Sequence, residues 1–537
     1  MMALPKSTHG IVAAIERWKR VLPPGGITID RITLRRYETA TFSTSQEVVA
    51  VLHPVRRDEI SRILEIANHF KVPVYPVSGG KNWGLGSRVP PMTGCAIIDL
   101  GHMNQIVDYS EEYGYITVEP GVTFAGASSY LASRGSKWFL SVIGGPPGAS
   151  LIGNAVDRGD GVGPLGDRLA HSCALEVILA DGRVVHTGFS RFEGAEVANL
   201  GRWGLGPSLD GLFSQSNLGI VTQMTFWLRR RPRVFQSFLF TCNDASLEGV
   251  LDASRHLMRH NIVEPNSVVL WNRYKAAASE MQFPWELTGG RTPIDHDEIR
   301  KLRLSCGPGA WLGIGALYGA SWSHAKADRR FLRRNLRPHV RRLMFIDQRR
   351  AWLAGGIAKL VDKVTGSRLD FFLDAMFRRS VFLGHPTDAS LRSVYWRKRS
   401  DIPSAIDPDR DRCGLLTICT ALPFSPPHLV RAERIVRDIF AHHGFEPNLA
   451  MTFNSERYAV MFPFLLYDRD VEGEDLRARA CHDEALKTLT EAGYVPYRLG
   501  VQSMESSPRP NDESSSLIRE VRASVDPNGI LSPRRYE

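Results

Sequence analysis

The sequence predicts a chain of mixed α and β structure, of the α+β class, folded in at least two domains. Its 537 residues are more than one ordinary hydrophobic core contains. From residue 46 to 76, apolar runs and a segment of helical periodicity alternate in the order strand, helix, strand. Glycine clusters are frequent before residue 232 and rare between 233 and 490. This change in character predicts a domain boundary near Pro232.

Composition and charge favour a globular protein without a nucleic-acid partner. Hydrophobic residues make up 43% and charged residues 23% of the chain, which is typical of soluble domains. The net charge of +10 would suit a polyanion, but no nucleic-acid-binding motif accompanies it. We instead expect a solvated helix face, because much of the excess recurs at helical spacing in Arg329, Arg330, Arg333, Arg334, Arg337, Arg341 and Arg342.

Cysteine usage and the termini indicate a cytoplasmic protein without structural metal. The seven cysteines are odd in number and no pair has CxxC spacing, so neither a disulfide framework nor a zinc site is expected. The first residues lack the apolar core of a signal peptide, and no run of about 18 apolar residues predicts a membrane span. The cysteines are Cys95, Cys173, Cys242, Cys306, Cys413, Cys419 and Cys481.

A glycine-rich loop follows the first strand–helix–strand unit. Ile60, Ile63, Leu64 and Ala67 mark one face of the helix, and the strand VPVYPV then ends in a loop with four glycines between residues 79 and 86. Glycine allows successive main-chain N–H groups to converge, and such a nest suits a phosphate. The loop is neither a Walker loop nor a GxGxxG turn. Glycine-rich loops are most often tight turns, so only other residues of the chain can indicate whether this loop binds a phosphate.

The remaining chain supplies further strands and helices. A segment rich in glycine and proline, 144–167, predicts backbone pressed against a flat or extended ligand. The other expected elements are strands at 96–100, 115–119, 224–228, 415–422 and 458–466, a hairpin at 173–186, helices at 429–443 and 476–492, and a turn-rich closure at 525–533.

Five motifs together resemble one flavoprotein family. SGGKNWGLG, GNAVDRG, GLFSQSNLGIVT, Tyr497-Arg498 and DPNGILSP occur in the order found in the vanillyl-alcohol oxidase and p-cresol methylhydroxylase flavoproteins. The resemblance covers the chain from about residue 45 to its end. It implies a two-part FAD-binding domain of the p-cresol methylhydroxylase type, interrupted by an inserted α+β cap domain. The implied boundaries are 1–232 and 491–537 for the FAD domain and 233–490 for the cap.

The resemblance also implies which residues bind FAD. The main chain of Pro76 and of Ser78 to Asn82 would hold the pyrophosphate, in agreement with the need of a dianion for oriented N–H donors. Arg535 falls at a basic position that approaches the flavin. The full implied set is Pro76, Ser78, Gly79, Gly80, Lys81, Asn82, Leu85, Ala149, Ser150, Asn154, Gly159, Gly219, Ile220, Val221, Arg498 and Arg535.

The catalytic positions are only partly retained. In the family's phenol oxidases two tyrosines and an arginine bind the substrate as phenolate, and Tyr497 and Arg498 match the second tyrosine and the arginine. The first tyrosine falls on Leu85. The family's acidic residue falls on Gly145 and a further tyrosine on Val162. Covalent attachment of the flavin would fall at or near Leu416, and leucine forms no such bond, so we expect FAD to be bound non-covalently.

Three functions remain open at this point. The first is an FAD oxidoreductase that transfers a hydride from a small aromatic alcohol or alkylphenol to flavin N5, with oxygen or another electron acceptor. The second acts on a non-phenolic hydroxy acid or natural-product intermediate, which the less polar Leu85, Gly145 and Val162 favour. The third is a non-catalytic flavin-binding or nucleic-acid-binding protein.

Partners follow from the same resemblance. It implies a small-molecule substrate and a homodimer or larger homo-oligomer, and it allows a cytochrome partner that nothing in the sequence indicates. Glu456 and Arg457 form either a structural ion pair, which we favour, or part of the cap cavity.

Overall fold

The computed structural model describes residues 8–305, 307–365, 370, 373–374, 377, 380–506 and 511–537. Cys306 lies outside the described residues. Helices are α1 Thr8–Val21, α2 Arg31–Tyr37, α3 Arg57–Phe70, α4 Phe124–Ser133, α5 Leu151–Val156, α6 Leu247–Arg259, α7 Arg273–Glu280, α8 Trp285–Thr288, α9 His296–Lys301, α10 Trp322–Leu336, α11 Gln348–Thr365, α12 Pro426–His442, α13 Glu474–Glu491 and α14 Glu513–Val525.

Strands are β1 Ile27–Thr28, β2 Val48–Leu52, β3 Val74–Val77, β4 Cys95–Asp99, β5 Ile106–Ser110, β6 Tyr115–Val118, β7 Trp138–Phe139, β8 Ser172–Ile178, β9 Val184–His186, β10 Ile220–Trp227, β11 Arg229–Arg230, β12 Val234–Cys242, β13 Val268–Asn272, β14 Trp311–Gly319, β15 Arg342–Asp347, β16 Cys413–Thr417, β17 Cys419–Pro423, β18 Asn448–Phe453, β19 Tyr458–Asp468 and β20 Pro496–Arg498.

The first sheet carries the glycine-rich loop at its edge. Its order is β1-β2-β4-β3, with β2 and β3 both parallel to β4. Helix α3 connects β2 to β3 and buries the apolar face that its periodicity predicts. The C-terminal segment returns to this sheet, since the Val74 N–H donates to the Ile530 carbonyl at 2.8 Å. The closing motif therefore lies beside the strand that delivers the glycine loop.

The second sheet is antiparallel, in the order β5-β6-β10-β8-β9. The predicted hairpin forms its edge, where β8 pairs with β9. Its core includes Phe124 of α4 and Leu151 of α5, both buried, together with Val177 and Phe226 of the sheet. This packing fixes α5, which carries the GNAVDRG motif, against the strands.

The third sheet, which we call the cap sheet, has the order β15-β12-β14-β13-β18-β19-β17-β20, and β16 also pairs with β19. One face is covered by α6, α10, α12 and α13, through residues such as Val250, Leu332 and Val436 that pack on Met451 and Met461. The other face is left for the cavity described below. We propose 1–232, 233–490 and 491–537 as domain boundaries, with β20 extending the cap sheet.

Two local predictions differ from the structure. The strand expected at 415–422 is two strands, β16 and β17, interrupted at Ile418. The arginine run does not form one helix, because α10 ends at Leu336 and β15 begins at Arg342. Pro338 contributes to the stop, since it has no N–H to donate to the carbonyl of Arg334 four residues earlier. Arg330, Arg333 and Arg334 are exposed on α10.

Within the described ranges no helix is long and apolar enough to span a bilayer. The same residues contain no group of three or more histidine, cysteine, aspartate or glutamate side chains able to hold a metal ion. The six cysteines that the structure describes are buried thiols.

Candidate active site

A cavity of about 460 Å³ lies between the cap sheet and the loops that follow β3 and precede α5. Of the implied FAD-binding set, Gly159 alone does not line its wall. The predicted residues that line it are Pro76, Ser78, Gly79, Gly80, Lys81, Asn82, Leu85, Ala149, Ser150, Asn154, Gly219, Ile220, Val221, Tyr497, Arg498 and Arg535.

The glycine loop offers free main-chain donors to this cavity. Between Gly79 and Asn82, no main-chain N–H has a hydrogen-bond acceptor among the described residues. Gly80 has φ +60°, which favours glycine, and a Cβ on Gly79 would lie 3.3 Å from the Ser150 nitrogen. Pro76 has no N–H, so it contributes packing and no donor. The loop therefore presents the nest of donors that a phosphate requires.

Gly159 does not line the cavity, although the resemblance implies that it contacts FAD. Its N–H donates to the Asn154 carbonyl at 2.7 Å, and its own carbonyl accepts from Arg168 at 3.2 Å. A Cβ at this position would lie 2.0 Å from the Asn154 amide nitrogen. Glycine here permits the turn that supports Asn154, and Asn154 lines the cavity.

A charged cluster joins α5 to the two C-terminal arginines. Arg498 donates through Nε to Asp157 Oδ2 at 2.8 Å and through Nη2 to Asn82 Oδ1 at 2.7 Å. Arg535 donates to Asp157 Oδ1 at 2.6 Å and to the Tyr75 hydroxyl at 2.9 Å. Because one carboxylate pairs with two guanidinium groups, the cluster keeps net positive charge. Asp157, within GNAVDRG, was missed as a site residue, although the motif was identified.

Tyr497 presents a free hydroxyl beside this cluster. Its main-chain carbonyl accepts from Gln215 at 3.0 Å, which fixes the backbone. The hydroxyl is buried, has no nitrogen or oxygen partner among the described residues and lies beside the Cys419 thiol, and burial raises its pKa well above the usual value. The residue also lines the cavity, so a ligand hydroxyl or carbonyl could satisfy it.

The open face of the cap sheet forms an apolar cavity floor. Because side chains alternate along strands, Leu415 and Thr417 face the cavity, whereas Leu416 packs into the opposite core. None of these three side chains is a histidine or tyrosine. The floor consists of Val269, Trp271, Ile314, Leu415, Thr417, Cys419, Ala450, Thr452, Phe462, Phe464 and Leu466.

One lysine interrupts this apolar floor. Lys275, on α7, is 6% exposed. Its Nζ donates to Ser393 Oγ at 2.7 Å and lies 4.6 Å from the centre of the Phe464 ring. No carboxylate among the described residues pairs with it, and desolvation lowers its pKa to about 7. No sequence motif marks this residue, which follows an apolar strand like many surface lysines.

One carboxylate lies at another point of the cavity wall. Asp160 Oδ1 accepts from Asn266 at 2.6 Å and from Asn454 at 2.8 Å, and Oδ2 accepts from Thr452 at 2.8 Å. Burial raises its pKa above the usual value. The sequence offered one signal, its position directly after GNAVDRG. Glu456 and Arg457, by contrast, form an exposed ion pair with N–O distance 2.5 Å and do not line the cavity.

Comparison with known proteins agrees with this geometry. The FAD binding domain model matches residues 48–188. The chain is 41% identical over 532 residues to 1'-carboxy-chondrochloren decarboxylase of Chondromyces crocatus, covering 99% of this chain and 98% of that protein. This chain belongs to the vanillyl-alcohol oxidase and p-cresol methylhydroxylase flavoprotein family. It is also 28% identical over 539 residues to the 4-cresol dehydrogenase [hydroxylating] flavoprotein subunit of Pseudomonas putida, covering 97% and 94%.

The solved structure of p-cresol methylhydroxylase with bound substrate has the same fold, with TM-score 0.86 and 24% identity over 100% of this chain and 98% of that chain. As a member of this family, the protein is an FAD-dependent enzyme, with an FAD-binding domain and an inserted cap. The unpaired N–H groups of the glycine loop and the positively charged Asp157 cluster fit FAD. Leu85, Gly145 and Val162 all line the cavity.

Proposed function

We propose that the protein catalyses FAD-dependent oxidative decarboxylation of a small carboxylic acid. In this acid a 4-hydroxyphenyl group and the carboxylate are attached to neighbouring carbons. The proposal rests on Lys275, whose side chain is buried and lines the cavity on the side of the cap sheet. A buried charge without a counter-ion is costly, and a substrate carboxylate would supply the counter-ion. The name of the decarboxylase from Chondromyces crocatus supports the same chemistry.

The bond changes balance with the cofactor as oxidant. The carbon that bears the aromatic ring loses a hydride, its neighbour loses the carboxylate as CO2, and a carbon–carbon double bond forms between the two carbons. The electron pair of the broken carbon–carboxylate bond becomes the new π bond, so the substrate anion gives a neutral alkene, CO2 and one hydride. FAD, when bound, accepts that hydride.

Residues of this chain bind the two ends of such a substrate. Tyr497 offers its unpaired hydroxyl to the phenol oxygen, and Lys275 with Ser393 binds the carboxylate. The guanidinium of Arg498 is committed to Asp157, so it orients the cluster and supplies long-range positive charge. The 4-cresol dehydrogenase relative supports a phenolic ring.

The spacing between Lys275 and Asp160, which lies near Tyr497, suits one molecule. Asp160 contacts Thr452 of β18, whereas Lys275 lies over Phe464, whose register partner on β18 is Asn448. Four residues of strand separate the two positions, about 13 Å. A phenylpropanoate with a hydrogen bond of about 3 Å at each end is of comparable length. The floor between the ends is apolar, and Ala450 and Phe462 line the cavity there.

A substrate panel tests the proposal. Anaerobic 3-(4-hydroxyphenyl)propanoate and N-acetyltyrosine should bleach the flavin and release one CO2 per flavin reduced. Ethylphenol without the carboxylate and 3-phenylpropanoate without the hydroxyl should react at least tenfold more slowly. Bleaching by 4-hydroxybenzyl alcohol or 4-ethylphenol as fast as by the acids, without CO2, would overturn the decarboxylase proposal and favour the aromatic alcohol or alkylphenol oxidation.

A 2-hydroxy acid is a second candidate, because Lys275 would bind its carboxylate equally well. In that case the carbon bearing the hydroxyl loses the hydride and the carboxylate remains in the product. 3-(4-Hydroxyphenyl)lactate distinguishes the two reactions, because its ring-bearing carbon can lose the hydride with CO2 from the neighbouring carbon, whereas its hydroxyl-bearing carbon can lose the hydride with the carboxylate retained. Bleaching with retention of the carboxylate supports the hydroxy-acid reaction, and bleaching with CO2 release supports decarboxylation.

The state of the flavin and the electron acceptor complete the proposal. Non-covalent attachment is supported by the side chains at Leu415, Leu416 and Thr417, so acid precipitation should leave the yellow colour in the supernatant. Colour retained by the pellet would contradict it. We propose a homo-oligomer with oxygen or another protein as acceptor, and the rate of flavin reoxidation in air separates these acceptors.

A further inference from the structure

We propose that Asp160 is the acid–base residue of this reaction: it accepts the phenolic proton of the substrate as the hydride leaves, and returns that proton after CO2 is lost. This inference rests on the proposed function. By the resemblance, the family's acidic position falls on Gly145, and a glycine side chain accepts no proton, so the proposal places the proton acceptor elsewhere. Asp160 would supply it from the segment that follows α5.

The contacts of Asp160 leave one acceptor position free. A carboxylate accepts about four hydrogen bonds, and Asn266, Asn454 and Thr452 supply three. Two of these donors are on Oδ1 and one is on Oδ2, so the free position is on Oδ2. Asp160 is partly exposed, and it lines the cavity. A substrate hydroxyl that contacts Tyr497 therefore has a carboxylate available in the same cavity.

The other carboxylate on the described cavity wall is already committed. Asp157 accepts from Arg498, from Arg535 and from Asn82. A carboxylate held by two guanidinium groups is a poor base, because the proton would displace two ion pairs. Asp160 has amide and hydroxyl donors instead, which orient it without neutralising it.

The electrostatic surroundings support a base. Burial raises the pKa of Asp160, while the hydrogen bonds and the charge of Arg168 lower it. The titratable groups that face it are Arg168, Tyr497, Cys419 and Tyr458. A carboxylate with a raised pKa holds a proton more readily than one in water, which suits transient storage of the phenolic proton.

The proton balance closes over the whole reaction. Loss of the phenolic proton to Asp160 and of the hydride to the oxidised cofactor leaves a neutral quinone methide that still carries the carboxylate. When the carbon–carboxylate bond breaks, its electron pair forms the new carbon–carbon double bond, the exocyclic π pair of the quinone methide returns to the ring to give a phenolate, and CO2 leaves. The phenolate then takes the proton back from Asp160, so no net proton is consumed.

The test compares Asp160→Asn with Asp160→Glu and Thr452→Val in the FAD-loaded enzyme. With 3-(4-hydroxyphenyl)propanoate, flavin bleaching in D160N should slow about a hundredfold or more. D160E should recover at least a tenth of the wild-type rate, because it keeps the carboxylate. T452V, which removes one donor and keeps the base, should change the rate less than tenfold. A ring nitro group ortho to the hydroxyl, which acidifies the phenol, should reduce the D160N defect to less than tenfold.

Binding of 4-nitrophenol gives a readout without turnover. Because Asp160→Asn removes a negative charge next to the phenol oxygen, the pKa of bound 4-nitrophenol should fall by about one unit or more relative to wild type. Equal rates and equal nitrophenol titrations in wild type and in D160N that retains FAD would overturn the assignment to Asp160. If wild type itself releases no CO2 from any phenolic acid, the proposed function fails instead, whatever the nitrophenol result.

Discussion

The two halves of the cavity are lined by different kinds of chemical groups. On the cofactor side, main-chain N–H groups and an aspartate paired with two arginines form the wall. On the cap side, one face of a β-sheet provides apolar side chains, and the single cation there, Lys275, has no carboxylate partner in the described chain. Charges that the protein pairs by itself serve its structure and its cofactor. A charge left unpaired in a cavity is available to a substrate.

This comparison predicts opposite effects on stability when charge is removed from each half. Removing a paired charge leaves its partners buried and unpaired, which destabilises. Removing an unpaired buried charge relieves a desolvation cost, which stabilises the fold while it weakens substrate binding.

Asp157→Ala gives the largest expected effect. Arg498 and Arg535 would both lose their carboxylate, so we expect the free energy of unfolding to fall by about 3–5 kcal/mol and FAD to dissociate on gel filtration. Chemical denaturation and the flavin absorbance per protein measure the two outcomes. Asp157→Asn is the matched control, which keeps the size of the side chain and one acceptor oxygen and should lose less. Wild-type stability and flavin content in D157A would show that the cluster is not structural.

Lys275→Met removes charge from the cap half of the cavity and so tests the opposite effect on stability. The substrate carboxylate would lose its cation, so kcat/KM for the phenolic acid should fall about a hundredfold, the range expected when one member of a buried charge pair is removed (about 2–5 kcal/mol). Stability should remain equal to wild type or rise, because methionine fills similar volume without charge. Lys275→Arg should retain more activity than Lys275→Met. A fall in stability with unchanged kcat/KM would reverse the roles assigned to the two halves.

The pH dependence of binding checks the same lysine. Its pKa is lowered to about 7 by desolvation, and a carboxylate binds the protonated form. Affinity for 3-phenylpropanoate should therefore be constant below pH 7 and should weaken about tenfold per pH unit above it. Lys275→Met should bind the acid weakly at every pH. Affinity independent of pH between 6 and 9 in wild type would exclude Lys275 as the counter-ion.

The residues that the sequence predicted for the cofactor half, apart from Gly159, line one cavity, because that half depends on backbone geometry. Glycine, proline and short motifs determine where N–H groups point, and they are visible in a single chain, as at Gly79 and Gly80. Asp157 was missed although its motif was quoted, since its role depends on Arg498 and Arg535, more than 300 residues away.

The cap half was harder to predict for the same reason. Lys275 and Asp160 matter because of what surrounds them, and their neighbours come from distant strands such as β18 and β19. Periodicity predicted those strands as apolar, but the face of each that meets the cavity depends on register. The interruption at Ile418, for instance, decides that Cys419 faces the cavity together with Thr417.

The smallest effect is expected at a contact that joins the cap to the glycine-rich loop. Asp409, in the cap, accepts hydrogen bonds from Trp83 at 3.0 Å and Ser87 at 2.8 Å, both in the glycine-rich loop. Burial raises its pKa to about 7, so the folded state binds a proton more tightly than the unfolded state. The contribution of Asp409 to the free energy of unfolding should be greatest below its unfolded-state pKa of about 4 and should decline as pH rises towards 7.

Asp409→Asn should remove that decline. At pH 5 we expect it to lower the free energy of unfolding by about 1–2 kcal/mol or less, which is the effect of changing one buried hydrogen bond. Melting temperatures of the FAD-loaded enzyme between pH 5 and 8 measure it, with Asp407→Asn as the neighbouring control. A parallel pH dependence in D409N and wild type would mean that the carboxylate does not titrate between the halves. A flatter curve together with faster loss of FAD would show that this junction holds the glycine-rich loop against the cap, since Trp83 and Ser87 follow the cavity-lining residues 79–82.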